Sequence, residues 1–170
     1  RLKQQHVDVV IGYLEPHDRP ETMALAEHLE TVPPREWRVG DAVFHEMDVE
    51  AILARKPQVV LVDELAHTNA DGSKNDKRYS DVLEVLAQGI NVISTINVQH
   101  LESVAARVEE ATGIAVRERI PDTVLRRADQ VVNVDVTKEE LRERLRQGKI
   151  YAPQQAERAL SSFFTYENLS

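Results

Sequence analysis

VVLVDELAHTN, running from Val59 to Asn69, is the stretch whose reading decides the fold. Four apolar residues lead directly into Asp63-Glu64 and then into a polar turn. This is how a buried parallel strand reads when it delivers carboxylates to the edge of a sheet. Two further segments have the same character. VDVVIGY (Val7 to Tyr13) lies upstream and NVISTI (Asn91 to Ile96) downstream, and both predict buried strands.

Helical patterns fall between the strands. A helix is expected over Glu21 to Glu30 with Ala24, Leu25 and Leu29 inward, stopped by Pro33-Pro34. Asp48 is placed to cap a helix over Val49 to Arg55. Tyr79 to Gln88 reads as a helix with Val82, Leu83 and Leu86 on one face, ended by Gly89. Val98 to Ala111 reads as another, its stripe formed by Leu101, Val104, Val108 and Ala111. Arg35 to Glu46 suits a short strand or hairpin. Asn69 to Arg78 (NADGSKNDKR) is turn-rich and polar. Strands are expected over Val116 to Ile120 and Gln130 to Val134, with a short helix over Asp122 to Arg127. Thr137 and Glu140 have capping-box spacing at the start of a helix to Gln147. Two more helical segments are expected after Gly148. The alternation predicts an α/β fold, a mostly parallel sheet flanked by helices. Residues 1–150 form the α/β domain on this reading, and 151–170 a helical extension towards a following domain.

Composition narrows the function. The 170 residues suffice for one domain with a proper core. The net charge of −8 argues against duplex nucleic acid and anionic membrane surfaces as partners. There is no Cys, which excludes disulfides, zinc-thiolate sites and thiol catalysis. No apolar run approaches the ~20 residues of a membrane helix. The first residue is Arg rather than Met, and the chain reads as part of a longer protein.

In parallel α/β sheets ligands sit at the C-terminal ends of the strands. Three such ends are unusually polar here. The first leads to Glu15, His17 and Arg19. The second supplies Asp63, Glu64, His67, Thr68 and Asn69. The third supplies Thr95, Asn97, Gln99 and His100. Each residue also has a structural reading. Asp63 suits a turn, Asn97 a helix cap, His67 and His100 satisfied polar positions, and Arg19, Lys77 and Arg78 solvated loop charges. Lys77 or Arg78 could alternatively reach an anionic ligand. Glu64-x-x-His67 has the spacing of a carboxylate–histidine metal motif, but such sites need a second pair on facing helices.

An acidic strand tip is one half of a nucleotide site. In P-loop proteins such a residue helps hold Mg²⁺, and a neighbouring Glu can orient a water. The other half is the phosphate-cradling loop G-x-x-x-x-G-K-[ST], which does not occur between Arg1 and Ser170.

GYLEPHDRPET, VVLVDELAHTNADGSKNDKRYSDV, STINVQHLESV and GKIYAPQQAERAL together resemble the N-terminal cytoplasmic domain of the KdpD family of osmosensitive K⁺ sensor histidine kinases. The resemblance runs from about Val7 to the end. It implies a P-loop NTPase-like domain that acts as a regulatory ATP-binding module in a cytoplasmic part of an inner-membrane protein. The parent would be a two-component histidine kinase that phosphorylates the response regulator KdpE to control K⁺ uptake. Its kinase core and phosphoacceptor His would lie outside this chain, so whether the chain itself is an enzyme stays open. The expected ligands are ATP and Mg²⁺, with other domains of the same kinase as partners and a possible homodimer through the parent. Asp63 would hold Mg²⁺ and Glu64 would position a water as the catalytic residue. Glu15, His17, Thr68, Asn69, Thr95 and Asn97 would contact the cofactor. The first strand and the phosphate loop of the family would precede Arg1. Two other functions compete with this one: a protein-interaction module without nucleotide, and a stand-alone P-loop NTPase.

Overall fold

The computed structural model describes residues 2–15, 19–112, 115–135, 137, 139, 140, 143, 146 and 147. These fall into two compact units. One joins Arg1–Glu15 with Glu27–Asp129, and the other joins Pro16–Ala26 with Gln130–Ser170. The extension over 151–170 and the helices expected there lie outside the described residues.

The larger unit is built on a four-stranded parallel sheet. Its strands are β1 (Val9–Tyr13), β2 (Glu30–Thr31), β5 (Val59–Val62) and β6 (Asn91–Ser94), in the order β2-β1-β5-β6. A separate antiparallel hairpin joins β3 (Arg35–Val39) and β4 (Ala42–Glu46). Helices α2 (Val49–Arg55) and α3 (Arg78–Ala87) pack against each other beside the sheet. Val10, Val60 and Val62 form the core with Ile52 of α2 and with Val82 and Val85 of α3. The expected α/β class and the mostly parallel sheet are both found.

Local chemistry explains the boundaries. The Asp48 side chain accepts from the Ala51 N–H, so α2 starts where the cap lies. The helix ends at Lys56, whose backbone is left-handed. Asp8 and Glu30 both hold Arg55 through charged hydrogen bonds, which tie α2 to the N-terminal ends of β1 and β2. Gly89 takes φ +79° and closes α3.

Gly12 is required by packing. A Cβ there would lie 2.6 Å from Val60 Cγ2 and 2.9 Å from Ile52 Cδ1. The register between β1 and β5 also slips at this residue, so that Val62 lies opposite Tyr13. The extra residue is a bulge. It turns Tyr13 to the face that carries Val60 and Val62.

Several elements differ from expectation. The helix predicted over Glu21 to Glu30 stops early: α1 is Pro20–Ala26 and none of its residues is buried, so Ala24 and Leu25 are not inward. Glu30–Thr31 pair with β1 instead, and Val32 donates to the Ile11 carbonyl. The residue before Pro33 disfavours a helix, and the open edge of β1 offers a partner. On α3 the buried face is Arg78, Asp81, Val82 and Val85, while Leu86 is exposed. The helix expected from Val98 breaks into a 3₁₀ turn over Val98–His100 and α4 (Glu102–Thr112). Leu101 stays extended between them because its neighbours bond to Ile120. That single rung is all that forms of the strand expected over Val116 to Ile120. A short helix, α5 (Asp122–Leu125), follows.

In the smaller unit, α1 begins with Met23 donating to Arg19. The expected Gln130 to Val134 strand does not form, and these residues are exposed. Thr137 accepts from the Glu140 N–H at 3.1 Å, half of the expected capping box.

Candidate functional site

The C-terminal ends of β1, β5 and β6 lie side by side, and the polar residues that follow them meet. Asp63 is the centre. Its N–H donates to the Tyr13 carbonyl at 3.0 Å, which carries the β1–β5 pairing one step beyond the strands. Its side chain then collects donors from all three strand ends. Oδ2 accepts from the Glu15 N–H at 3.3 Å. Oδ1 accepts from the Glu64 N–H at 3.0 Å and from the Thr95 hydroxyl. The Glu64 N–H is shared with Thr95 Oγ1 at 3.4 Å. Glu15, Asp63, Glu64 and Thr95 are therefore brought together, as their positions at strand ends predict.

Glu64 has a left-handed backbone, φ +52°. A non-glycine residue held there costs about 1 kcal/mol or more and persists only where its surroundings fix it. The surroundings are visible. Its carbonyl accepts from the His67 N–H at 3.0 Å and from Arg78 Nη1 at 3.5 Å. Its carboxylate lies 3.9 Å from Arg78 Nη1.

Arg78 is fully buried at the first residue of α3. Its guanidinium lies 3.6 Å from the centroid of the Tyr13 ring. Nη1 donates to the Asp63 carbonyl at 3.3 Å and Nη2 to Glu46 Oε2 at 3.4 Å. The expectation that Arg78 is a solvated loop charge, or reaches out to an anionic ligand, is overturned by this burial. Burial pushes the Tyr13 hydroxyl pKa up, against the opposing pull of the Arg78 charge.

Glu46, from the end of the hairpin, is the partner that the sequence did not suggest. Burial alone would raise its pKa, but His67, the Ala70 N–H and Arg78 outweigh that and hold the carboxyl below the usual range. His67 Nε2 lies 3.1 Å from Glu46 Oε2, its Nδ1 faces Glu118 at 3.9 Å, and its ring stacks on Tyr13. Tyr13, Glu46 and Glu118 thus complete a polar layer beneath the strand ends. Only the length of the Val7 to Tyr13 strand hinted at Tyr13.

The remaining candidates lie elsewhere or are engaged. The Thr68 N–H donates to Glu118 and its hydroxyl accepts from Lys77. Asn69 is buried, and its side chain donates to the Asn75 carbonyl and to Asp81, which fastens the 69–77 loop to α3. Asn97 is exposed and makes no side-chain cap bond, against the helix-cap reading. His100 bonds the Glu118 carbonyl. Arg19 belongs to the smaller unit, and His17 lies outside the described residues. Among the described residues no group of three or more His, Cys, Asp or Glu is placed to hold a metal ion. None of their helices is long and apolar enough to cross a membrane.

The whole chain, residues 1–170, matches a family model described as the KdpD osmosensitive K⁺ channel His kinase sensor domain. It is 52% identical over 170 residues to the sensor protein KdpD of Mycobacterium tuberculosis H37Rv, covering all of this chain and 20% of that protein. It is 54% identical over 169 residues to a putative sensor protein KdpD of Synechocystis, covering 99% of this chain and 46% of that protein. It is 46% identical over 169 residues to the sensor protein KdpD of Escherichia coli K12, covering 99% and 19%. The chain thus spans from about a fifth to just under a half of the length of these curated relatives.

Proposed function

Because this chain belongs to the KdpD sensor-domain family, we propose that it is the regulatory nucleotide-binding domain of a potassium-responsive sensor histidine kinase. One observation carries the reading. The Asp63 carboxylate, the Thr95 hydroxyl and the Glu64 backbone N–H converge at the C-terminal ends of parallel strands, where such sheets bind ligands. Carboxylate and hydroxyl oxygens suit Mg²⁺, which takes one or two carboxylates and fills its other positions with water and phosphate oxygens. Asp63 and Thr95 would hold the ion, which would neutralise phosphate charge. The strained backbone of Glu64, held by Arg78, would fix its carboxylate beside that position. Backbone amides and a Lys from a phosphate loop would supply the grip on the β- and γ-phosphates. The kinase activity, the transfer to KdpE and the inner-membrane location of the parent belong to this same proposal.

A second reading rests on a specific observation. Both Asp63 oxygens already accept hydrogen bonds within the chain. On this reading the carboxylate is structural and splices three strand ends together, and the domain is a protein-interaction module without nucleotide. Calorimetric titration of ATP–Mg²⁺ into the natural protein, and into Asp63→Asn, separates the two. Binding that Asp63→Asn weakens tenfold or more, with the melting temperature little changed, supports the nucleotide domain. No binding by the natural protein sinks it.

A further inference from the structure

We propose that a cavity between the β3–β4 hairpin, the start of α2 and the 69–77 loop binds a primary ammonium group on a short alkyl chain. The Asn69 side-chain carbonyl, the Ser73 hydroxyl and the Asp81 carboxylate would accept its N–H bonds. The inference is independent of any nucleotide. It rests on three features of the larger unit.

The first is the cavity itself, of about 60 Å³. Trp37 of the hairpin lines it, and the indole N–H donates to the Asp71 carbonyl at 2.7 Å. The same ring lies so close to Gly72 that a Cβ there would meet it at 3.2 Å. Hairpin and loop therefore close on each other. Buried Met47 adds apolar surface, and the exposed residues Arg35, Glu50 and Lys74 lie on the solvent side.

The second feature is a pair of unpartnered polar atoms. Asn69 is only 8% exposed, and its Nδ2 donates to the Asn75 carbonyl and to Asp81 Oδ2. Both partners are acceptors, which fixes the amide's orientation and leaves Oδ1 as an acceptor. That oxygen is buried with no partner among the described residues, as is the Ser73 hydroxyl. Buried polar groups in folded proteins are paired, so these two call for a donor from outside the chain.

The third is an unmatched charge. Asp81 is 5% exposed and its carboxylate accepts from the neutral amides of Asn69 and Asn75. Burial pushes its pKa up, and these bonds and the more distant Arg78 charge offset that only in part. The other charges around the cavity are matched. Glu46 faces Arg78, Glu50 holds Arg35, and Glu84 holds Lys74.

These features select the ligand. An ammonium offers three donors, no acceptor and a positive charge. Water would serve Asn69 and Ser73 but bring no charge to Asp81. A hard metal ion takes about six or more oxygens, and among the described residues no group of three or more His, Cys, Asp or Glu is placed to hold one. The alkyl stem would lie along Trp37 and Met47, as lysine stems lie along apolar surface.

The test is calorimetric titration of n-butylammonium chloride into the natural protein at fixed ionic strength, with n-butanol and potassium chloride as controls. The proposal expects saturable binding of butylammonium and none of butanol. Ser73→Ala should weaken binding roughly tenfold with the melting temperature unchanged, because that hydroxyl has no partner in the fold. Asp81→Asn should weaken it at least as much. No binding of butylammonium, equal binding of butanol or of K⁺, or unchanged affinity in Ser73→Ala overturns the proposal. Nα-acetyl-lysine methylamide then distinguishes the sources of such a group. Binding as tight as that of butylammonium assigns the site to a lysine of a protein partner, and exclusion assigns it to a free amine; both support the proposal.

Discussion

The guanidinium of Arg78 lies over the ring of Tyr13, its Cζ 3.6 Å from the ring centroid, with no part of the Arg side chain exposed. A bulge at Gly12 brings Tyr13 to this position, and the start of α3 brings Arg78. The charge is balanced by Glu46, itself nearly buried, and by Glu64. The Asp63 and Glu64 carbonyls accept its other hydrogen bonds. The contact therefore joins strand, hairpin and helix at the base of the candidate site.

Arg78→Met should cost about 3–5 kcal/mol, because it leaves Glu46 buried without its guanidinium partner. Arg78→Lys should recover little of this. An ammonium cannot reproduce the planar fork or the stacking on Tyr13. Urea denaturation measures both. A loss within about 0.5 kcal/mol, the range of surface substitutions, would refute this account of Arg78.

Gly12→Ala should destabilise by about 1–3 kcal/mol through overpacking against Val60 and Ile52. The strain is with side chains, so it should be relieved in part by shortening one of them. In Gly12→Ala combined with Val60→Ala, the combined loss should be smaller than the sum of the single losses. Simple additivity in thermal or urea unfolding would show that the close approach is not the cause.

Glu46 makes stability depend on pH with a definite sign. Its folded carboxyl is held below the ordinary range, so it contributes stability above the unfolded value of about 4.3. That contribution is lost as pH falls through the folded pKa. Asp81 is pushed the other way by its burial, so its effect has the opposite sign. The stability difference between the natural protein and Glu46→Gln should therefore be largest near neutral pH and shrink below about pH 4. A difference that stays constant from pH 7 to pH 3 would show that Glu46 does not carry it.

Much of the site was legible because parallel strands announce themselves and point their carboxyl ends at ligands. Glu15, Asp63, Glu64 and Thr95 follow three apolar runs, and the three ends meet. Asp48 was readable as a cap for the same local reason. Thr68 and Asn69 follow the same strand yet serve the loop that leads to α3, because the chain turns at the left-handed Glu64. Nothing in the residue type of a glutamate signals that turn.

The three apolar strands β1, β5 and β6, the helices α2 and α3, the mostly parallel sheet and the family were determined by the sequence itself, through apolar runs, caps and motifs that act over a few residues. Tertiary structure alone decided which side chains became partners. Glu46 and Arg78 are 32 positions apart, and each alone reads as a solvated charge. Burial makes them interdependent, since an ion removed from water must find its opposite. No local pattern encodes which opposite it will be.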